Sequence, residues 1–271
     1  MSRIADTFQA AADAGRMTFM PFITAGDPST ETTAAALRGL RDAGVDLIEL
    51  GFPYSDPIAD GPVIQASYTR ALDNGITVEA ILDMMDSLKG ENLPPTLAMV
   101  SFAIIFRFGT EAFAQKAADV GFSGLIVPDL PADEAEDMAA VASAHGLDLV
   151  QLIAPTTTAE RTQQILNAST GFVYCVSVAG TTGVRTELPA ELTDQLRGLR
   201  ESTALPLAVG FGISGPDQVK ALEEVADGVI VGSAIVRLIA AAESPDAAST
   251  AVREFSQGMQ AAVTAVRPSA R

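Results

Sequence analysis

The chain has 271 residues, 48% of them hydrophobic, enough for one large α/β barrel and its core. Seventeen Lys and Arg stand against 34 Asp and Glu, and a formal charge of −17 repels nucleic acid and anionic membranes, so an anionic substrate must be gripped locally. No apolar run approaches the roughly 20 residues of a membrane span. Cys175 is the single cysteine, which rules out an internal disulfide, and a reducing, cytoplasmic location is expected.

Residues 1–16 are polar and amphipathic and lack the apolar centre of a secretory signal. Within them, 2–14 reads as an extra helix covering the floor of whatever sheet follows. Eight short, β-branched apolar runs come next: Thr18–Thr24, Asp46–Gly51, Thr96–Phe102, Gly124–Val127, Leu149–Ile153, Phe172–Ser177, Leu207–Gly210 and Gly228–Val231. Near-continuous apolar runs suit parallel strands buried on both faces.

Helical stretches lie between the runs. Thr30–Ala43 and Thr110–Val120 open with a Thr suited to N-capping. Ala132–His145 carries acids in its first turn, and Pro189–Ser202 opens with a Pro that a first turn tolerates. Gly215–Val225 and Ala247–Val266 complete the pattern, and Gly44, Gly121 and Gly146 suit left-handed helix ends. Eightfold strand–helix alternation predicts a single-domain (β/α)8 TIM barrel over 1–271, with a doubly wound open sheet as the structural alternative. Residues 52–76 form a long, motif-dense loop after the second strand, and barrels place their chemistry at strand C-termini.

Glu49 is an acid in an otherwise apolar strand, near its C-terminal end. Burial disfavours its charged form and makes it a usable proton donor or acceptor near neutrality. The competing structural reading pairs it with an Arg, but no predicted strand ends in a basic residue. Asp60 and Asp56 lie in the following loop, where an aspartate is more often a turn former than a catalyst. Lys89, Lys116 and Lys220, the only lysines, fall on predicted helices or their ends, which disfavours a Schiff-base route. His145, the only histidine, sits at a helix end as a surface or capping residue, and Cys175 reads as core, so no zinc cluster is expected.

Glycine-rich segments follow the late strands: SVAGTTG at 177–183, GFGIS at 210–214 and GSAIV at 232–236, with Ser233 placed to start a short helix. Loops after barrel strands seven and eight, together with a helix N-terminus, commonly bind phosphate through backbone N–H groups and without Lys or Arg. Phosphate binding is therefore expected here.

ELGFPYSDPIADGPVIQ (49–65) closely resembles the signature loop of tryptophan synthase α chains. FITAGDP (22–28), LIVPDLP (125–131), IAPTT (153–157), GFVYCVSVAGTTG (171–183), VGFGIS (209–214) and VGSAIV (231–236) fall in the same family's order. The resemblance implies an indole-3-glycerol phosphate lyase with Glu49 and Asp60 as the catalytic pair. Tyr174 would support the pocket, and Gly183, Gly212 and Ser233 would contact the phosphate. Thr182 would lie in a closing loop and meet Asp60. Phe22, Phe211, Leu125, Val127 and Ile153 would wall the indole. The implied partner is a β subunit in an α2β2 assembly, and pyridoxal phosphate is expected only there.

This chain departs from the family at its third strand. Where two tyrosines and Asn-Pro are usual, it has Ser101, Phe102, Ala103 and Ile104, and it has Thr181 where Val is usual. The first change touches coupling to a partner more than the chemistry, and it motivates a stand-alone indole-producing lyase as the second reading. A catalytically weak binding subunit is opposed by the intact acids. A different phosphate-sugar barrel is opposed by the 49–65 loop.

Overall fold

The computed structural model describes residues 2–57, 60–131, 134–176, 190–210 and 212–268. Eight strands close into one parallel barrel in chain order: β1 (Thr18–Thr24), β2 (Ile48–Gly51), β3 (Thr96–Met99), β4 (Gly124–Ile126), β5 (Asp148–Ile153), β6 (Val173–Val176), β7 (Leu207–Gly210) and β8 (Gly228–Val231). β1 pairs with both β2 and β8, so no edge is left. All eight predicted strands are present.

Strand alternation divides the core into two layers. Side chains such as Leu50, Leu125, Leu149 and Val209 face outward into the layer beneath the helices. Met20, Leu97, Ile126, Val150, Tyr174 and Ile230 face inward and fill the barrel. Burying each large aliphatic side chain is worth roughly 1.5–3 kcal/mol, and here it is collected on both faces of every strand.

The first helix, α1 (Arg3–Asp13), is capped by Ser2, whose side chain accepts from the Ala5 N–H. It closes the floor as expected. Ile4 and Phe8 join the inward cluster, and the Phe8 and Phe172 rings lie 5.4 Å apart. The other α-helices are α2 (Thr30–Asp42), α3 (Pro62–Asp73), α4 (Val78–Ser87), α5 (Phe102–Phe108), α6 (Thr110–Asp119), α7 (Ala135–Ala144), α8 (Ala159–Ala168) and α9 (Ala190–Ser202) between the strands, and α10 (Ser233–Ala241) and α11 (Pro245–Thr264) after β8.

Three expectations need correction. The long loop after β2 ends at Gly61, because Pro62 takes the first position of α3 and the helix then runs to Asp73. The third strand stops at Met99, since Ser101 caps α5 by accepting from the Ala103 N–H. The helix expected over Gly215–Val225 is a shorter 3₁₀ helix, Pro216–Leu222, cut off before Glu224, which takes a left-handed φ of 65°.

α3 is tied to β1 over the barrel mouth. Arg70 donates to both carboxylate oxygens of buried Asp27 at 2.9 and 2.7 Å. Thr24 and Ser67 share a buried hydroxyl hydrogen bond of 2.6 Å. A bidentate, partly desolvated pair of this kind fixes geometry as well as energy, so the face of α3 carrying Ile64 and Tyr68 is held against the strand ends.

Candidate active site

Glu49 lies on β2 between its register partners Phe22 on β1 and Leu97 on β3. It is 0% exposed, and neither carboxylate oxygen has a hydrogen-bond partner among the described residues. Among the described residues no arginine pairs with it, as the structural reading would require. Desolvation pushes its pKa well above the ordinary glutamate value. A buried, unpartnered acid costs stability, and that cost is characteristic of a group kept for chemistry.

Asp60 stands immediately before Gly61, the N-cap of α3. Its backbone is held by the amide of Gln65, which donates to the Asp60 carbonyl at 2.7 Å. Burial raises the Asp60 carboxyl to about 6, and the nearby Tyr54 hydroxyl pulls the other way. Glu49 and Asp60 bear on the same two phenols: Tyr68 and Tyr174 are both held far above the ordinary tyrosine value, by burial first and then by these carboxylates.

A cavity of about 150 Å³ opens here, lined by Phe22, Asp60, Ile64, Met99, Tyr174 and Ile230 together with Gly210, Gly212, Ile213, Gly232 and Ser233. Gly210 is required by space: a Cβ there would stand 2.7 Å from the Tyr174 hydroxyl. Gly212 has φ +64°, a conformation that favours glycine. Among the described residues no side chain caps the N-terminus of α10, so its first N–H groups remain available beside Ser233. Ser214, by contrast, is engaged with the Gln218 side chain at 2.8 and 3.0 Å.

The structure thus gathers Phe22, Asp60, Tyr174, Gly212 and Ser233 around one cavity, with Glu49 beside Phe22 in the sheet. Thr182, Gly183 and Phe211 lie outside the described residues. Leu125, Val127 and Ile153 do not wall the cavity. They belong to the outward layer, packed under the helices, because strand alternation turns them away from the barrel. Their neighbours Ile126 and Leu152 face inward, together with Met99. Tyr54 and Tyr68 were also missed. The signal was present in their placement, since two of only three tyrosines fall in or just after the 49–65 loop. Asp56 is exposed and accepts a hydrogen bond from the Ser55 hydroxyl at 3.3 Å. His145 caps α7 and pairs with Glu111 at 2.8 Å, and Cys175 is buried in the core.

A closed parallel barrel with a desolvated acid near a strand C-terminus and a second carboxylate in the following loop, beside an open helix N-terminus, has the architecture of a (β/α)8-barrel enzyme. The family profile described as tryptophan synthase alpha chain matches residues 8–264. A tryptophan synthase alpha chain of Rhodopirellula baltica is 48% identical over 244 residues, covering 89% of this chain and 87% of the relative. One of Picosynechococcus sp. is 45% identical over 264 residues, covering 97% of this chain and all (100%) of the relative. The crystal structure of the tryptophan synthase subunit alpha from Legionella pneumophila superposes with a TM-score of 0.88 at 36% identity, covering 98% of this chain and 100% of that one. An open-form structure of tryptophan synthase from M. tuberculosis gives 0.87 at 31% identity, covering 97% and 99%. The chain belongs to the tryptophan synthase alpha chain family.

Proposed function

We propose that this chain cleaves indole-3-glycerol phosphate to indole and glyceraldehyde 3-phosphate by a retro-aldol step, with Glu49 and Asp60 as its acid–base pair. The observation that carries the reading is Glu49, fully buried, unpartnered and raised in pKa beside the wall of the cavity that also holds Asp60.

Glu49, as the acid, protonates ring carbon C3, and the positive charge that results sits on the ring N–H. The Asp60 carboxylate accepts that N–H and stabilises the charge. Glu49, now the base, takes the proton of the glycerol hydroxyl. The oxygen lone pair becomes a carbonyl, the C–C bond to C3 breaks, and its electrons return to the indole ring. Protons balance, and the step as written requires neither metal nor Schiff base. Phe22, Met99 and Ile64 supply the apolar wall for the ring. Gly212, Gly232 and the α10 N-terminus at Ser233 receive the phosphate, as oriented N–H groups do without a cation.

A β subunit is the proposed partner, with indole passed on to pyridoxal phosphate chemistry there and the cytoplasm as the shared compartment. A larger groove, about 560 Å³, lies outside the mouth between residues 52–55, α4 and α5. Phe106 of α5 is 72% exposed, a costly exposure that a partner surface relieves. The altered β3–α5 junction sustains the stand-alone lyase as the second reading: Ser101 donates to Asp129 at 2.6 Å and so closes a contact within the chain. Incubation of the purified protein with indole-3-glycerol phosphate tests the proposal. Indole and glyceraldehyde 3-phosphate are expected in equal amounts, and no turnover by folded protein would falsify it.

A further inference from the structure

A further groove, of about 440 Å³, lies between α3 and α10. Its lining is Pro62, Val63, three alanines and two arginines, Arg70 of α3 and Arg237 of α10. The chain carries 34 acids against 17 cations, yet among the described residues no carboxylate lines this groove. Asp73 and Glu243, the acids nearest the two arginines in sequence, stand at or past the ends of the two helices.

The two arginines are not equivalent. Arg70 is neutralised by Asp27, through the two hydrogen bonds that hold α3 over the mouth. Arg237 is exposed and has no ion pair or hydrogen bond among the described residues. It follows Ser233 by four residues, one turn along the same face of α10. A long side chain on a helix reaches back over the turn before it, and here that is the turn of Ser233. The groove and the cavity share these helices as walls: Val63 lines the groove and Ile64 the cavity, Arg237 the groove and Ser233 the cavity. Arg237 does not itself line the cavity, so it acts on the phosphate from a distance and not as a ligand.

We propose that Arg237 is the electrostatic guide for the substrate's phosphate: an unpaired cation in an acid-free groove, it draws the dianion through the field of an acidic chain to the N-terminus of α10. This inference rests on the reading of Ser233 and Gly232 as phosphate contacts. A formal charge of −17 repels any phosphate ester at long range. One cation a turn away from the destination reverses the sign of the field locally, over a reach of about 30 Å at 0.01 M salt and about 3 Å at 1 M. Guidance of this kind acts on encounter and binding, so it enters kcat/KM and leaves kcat alone.

The test is kcat/KM for indole release as a function of salt. Arg237→Gln is expected to lower it about three- to fivefold at roughly 0.01 M ionic strength, and Arg237→Glu about tenfold or more, with kcat retained in both. Both deficits shrink below about twofold near 0.5 M salt, where the charges are screened. Arg237→Lys keeps the charge and is expected to keep the wild-type value. Lys89→Gln removes the same charge from the turn before β3, at the floor of the barrel, and is expected to leave kcat/KM unchanged. Inhibition by indole, which carries no phosphate, stays as in wild type in every variant. Wild-type kcat/KM in Arg237→Glu at low salt would overturn the proposal, as would a deficit that salt does not relieve or that Arg237→Lys shares. An equal loss in Lys89→Gln would overturn it too, by assigning the effect to net charge alone. Failure of the parent reading is seen separately: an unchanged KM in Ser233→Asp moves the phosphate away from α10, whatever the Arg237 variants do.

Discussion

Phe22 and Glu49 are register partners on β1 and β2, so the apolar wall of the cavity and its buried acid stand side by side at the barrel mouth. That adjacency dries the carboxyl and supplies the raised pKa from which the proposed chemistry follows.

Glu49→Gln removes the exchangeable proton and keeps size and shape. Turnover is expected to fall by at least about 10²–10⁴-fold, with substrate affinity nearly unchanged. Steady-state indole release, set beside equilibrium binding of a substrate analogue, checks it. A parallel loss of affinity would assign Glu49 to binding instead.

Glu49→Met is expected to be more stable than wild type at neutral pH, by about 1–3 kcal/mol, because it removes an unpartnered polar group from the core. The sign with pH follows from linkage. A carboxyl raised in the fold binds its proton more tightly there than in the unfolded chain, so it lowers stability progressively once pH passes the ordinary glutamate value. Denaturant titrations at several pH values should therefore show the gap between Glu49→Met and wild type widening as pH rises. A constant gap would contradict the shift.

Asp60, raised to about 6, must be ionised to meet the ring N–H. The acidic limb of kcat/KM is expected near that value, falling tenfold per unit below it. A pH–rate profile flat from 5 to 8 would remove Asp60 from the mechanism, since a carboxyl of about 6 titrates within that range.

Gly210→Ala would put a methyl 2.7 Å from the Tyr174 hydroxyl. Overpacking of this kind costs roughly 1–3 kcal/mol. The variant is expected to lose both thermal stability and substrate affinity, since Tyr174 must move within the cavity. Wild-type values of both would show that the strand end yields freely.

Ser233→Asp places a negative charge at the N-terminus of α10, where the phosphate is proposed to sit. The helix itself tolerates an acid there or gains from it, so stability should hold while KM rises about tenfold or more. An unchanged KM would move the phosphate elsewhere.

The strands were legible because each is a short apolar run between helical patterns, and Glu49 was legible because a lone acid inside such a run needs a reason. Which neighbours face inward was not legible. Strands buried on both faces carry no polar alternation to mark inside from outside, so Leu125 and Ile153 read as well as Ile126 and Leu152 do. Parity is settled only by pairing, with Leu152 opposite Tyr174 across β5 and β6. Pro62 announced α3 in the sequence, but the preceding Asp-Gly pair masked it as a turn signal. The clustering of Tyr54, Tyr68 and Tyr174 needed the fold, because α3 is brought over the mouth by the long-range Arg70–Asp27 and Ser67–Thr24 contacts.

Indole release from indole-3-glycerol phosphate by wild type and Glu49→Gln, each alone and with a tryptophan synthase β subunit, tests the central claim most directly. The account predicts slow release by the wild-type chain, acceleration when β is added, and loss of both in Glu49→Gln. Turnover by Glu49→Gln equal to wild type, in either setting, would contradict it.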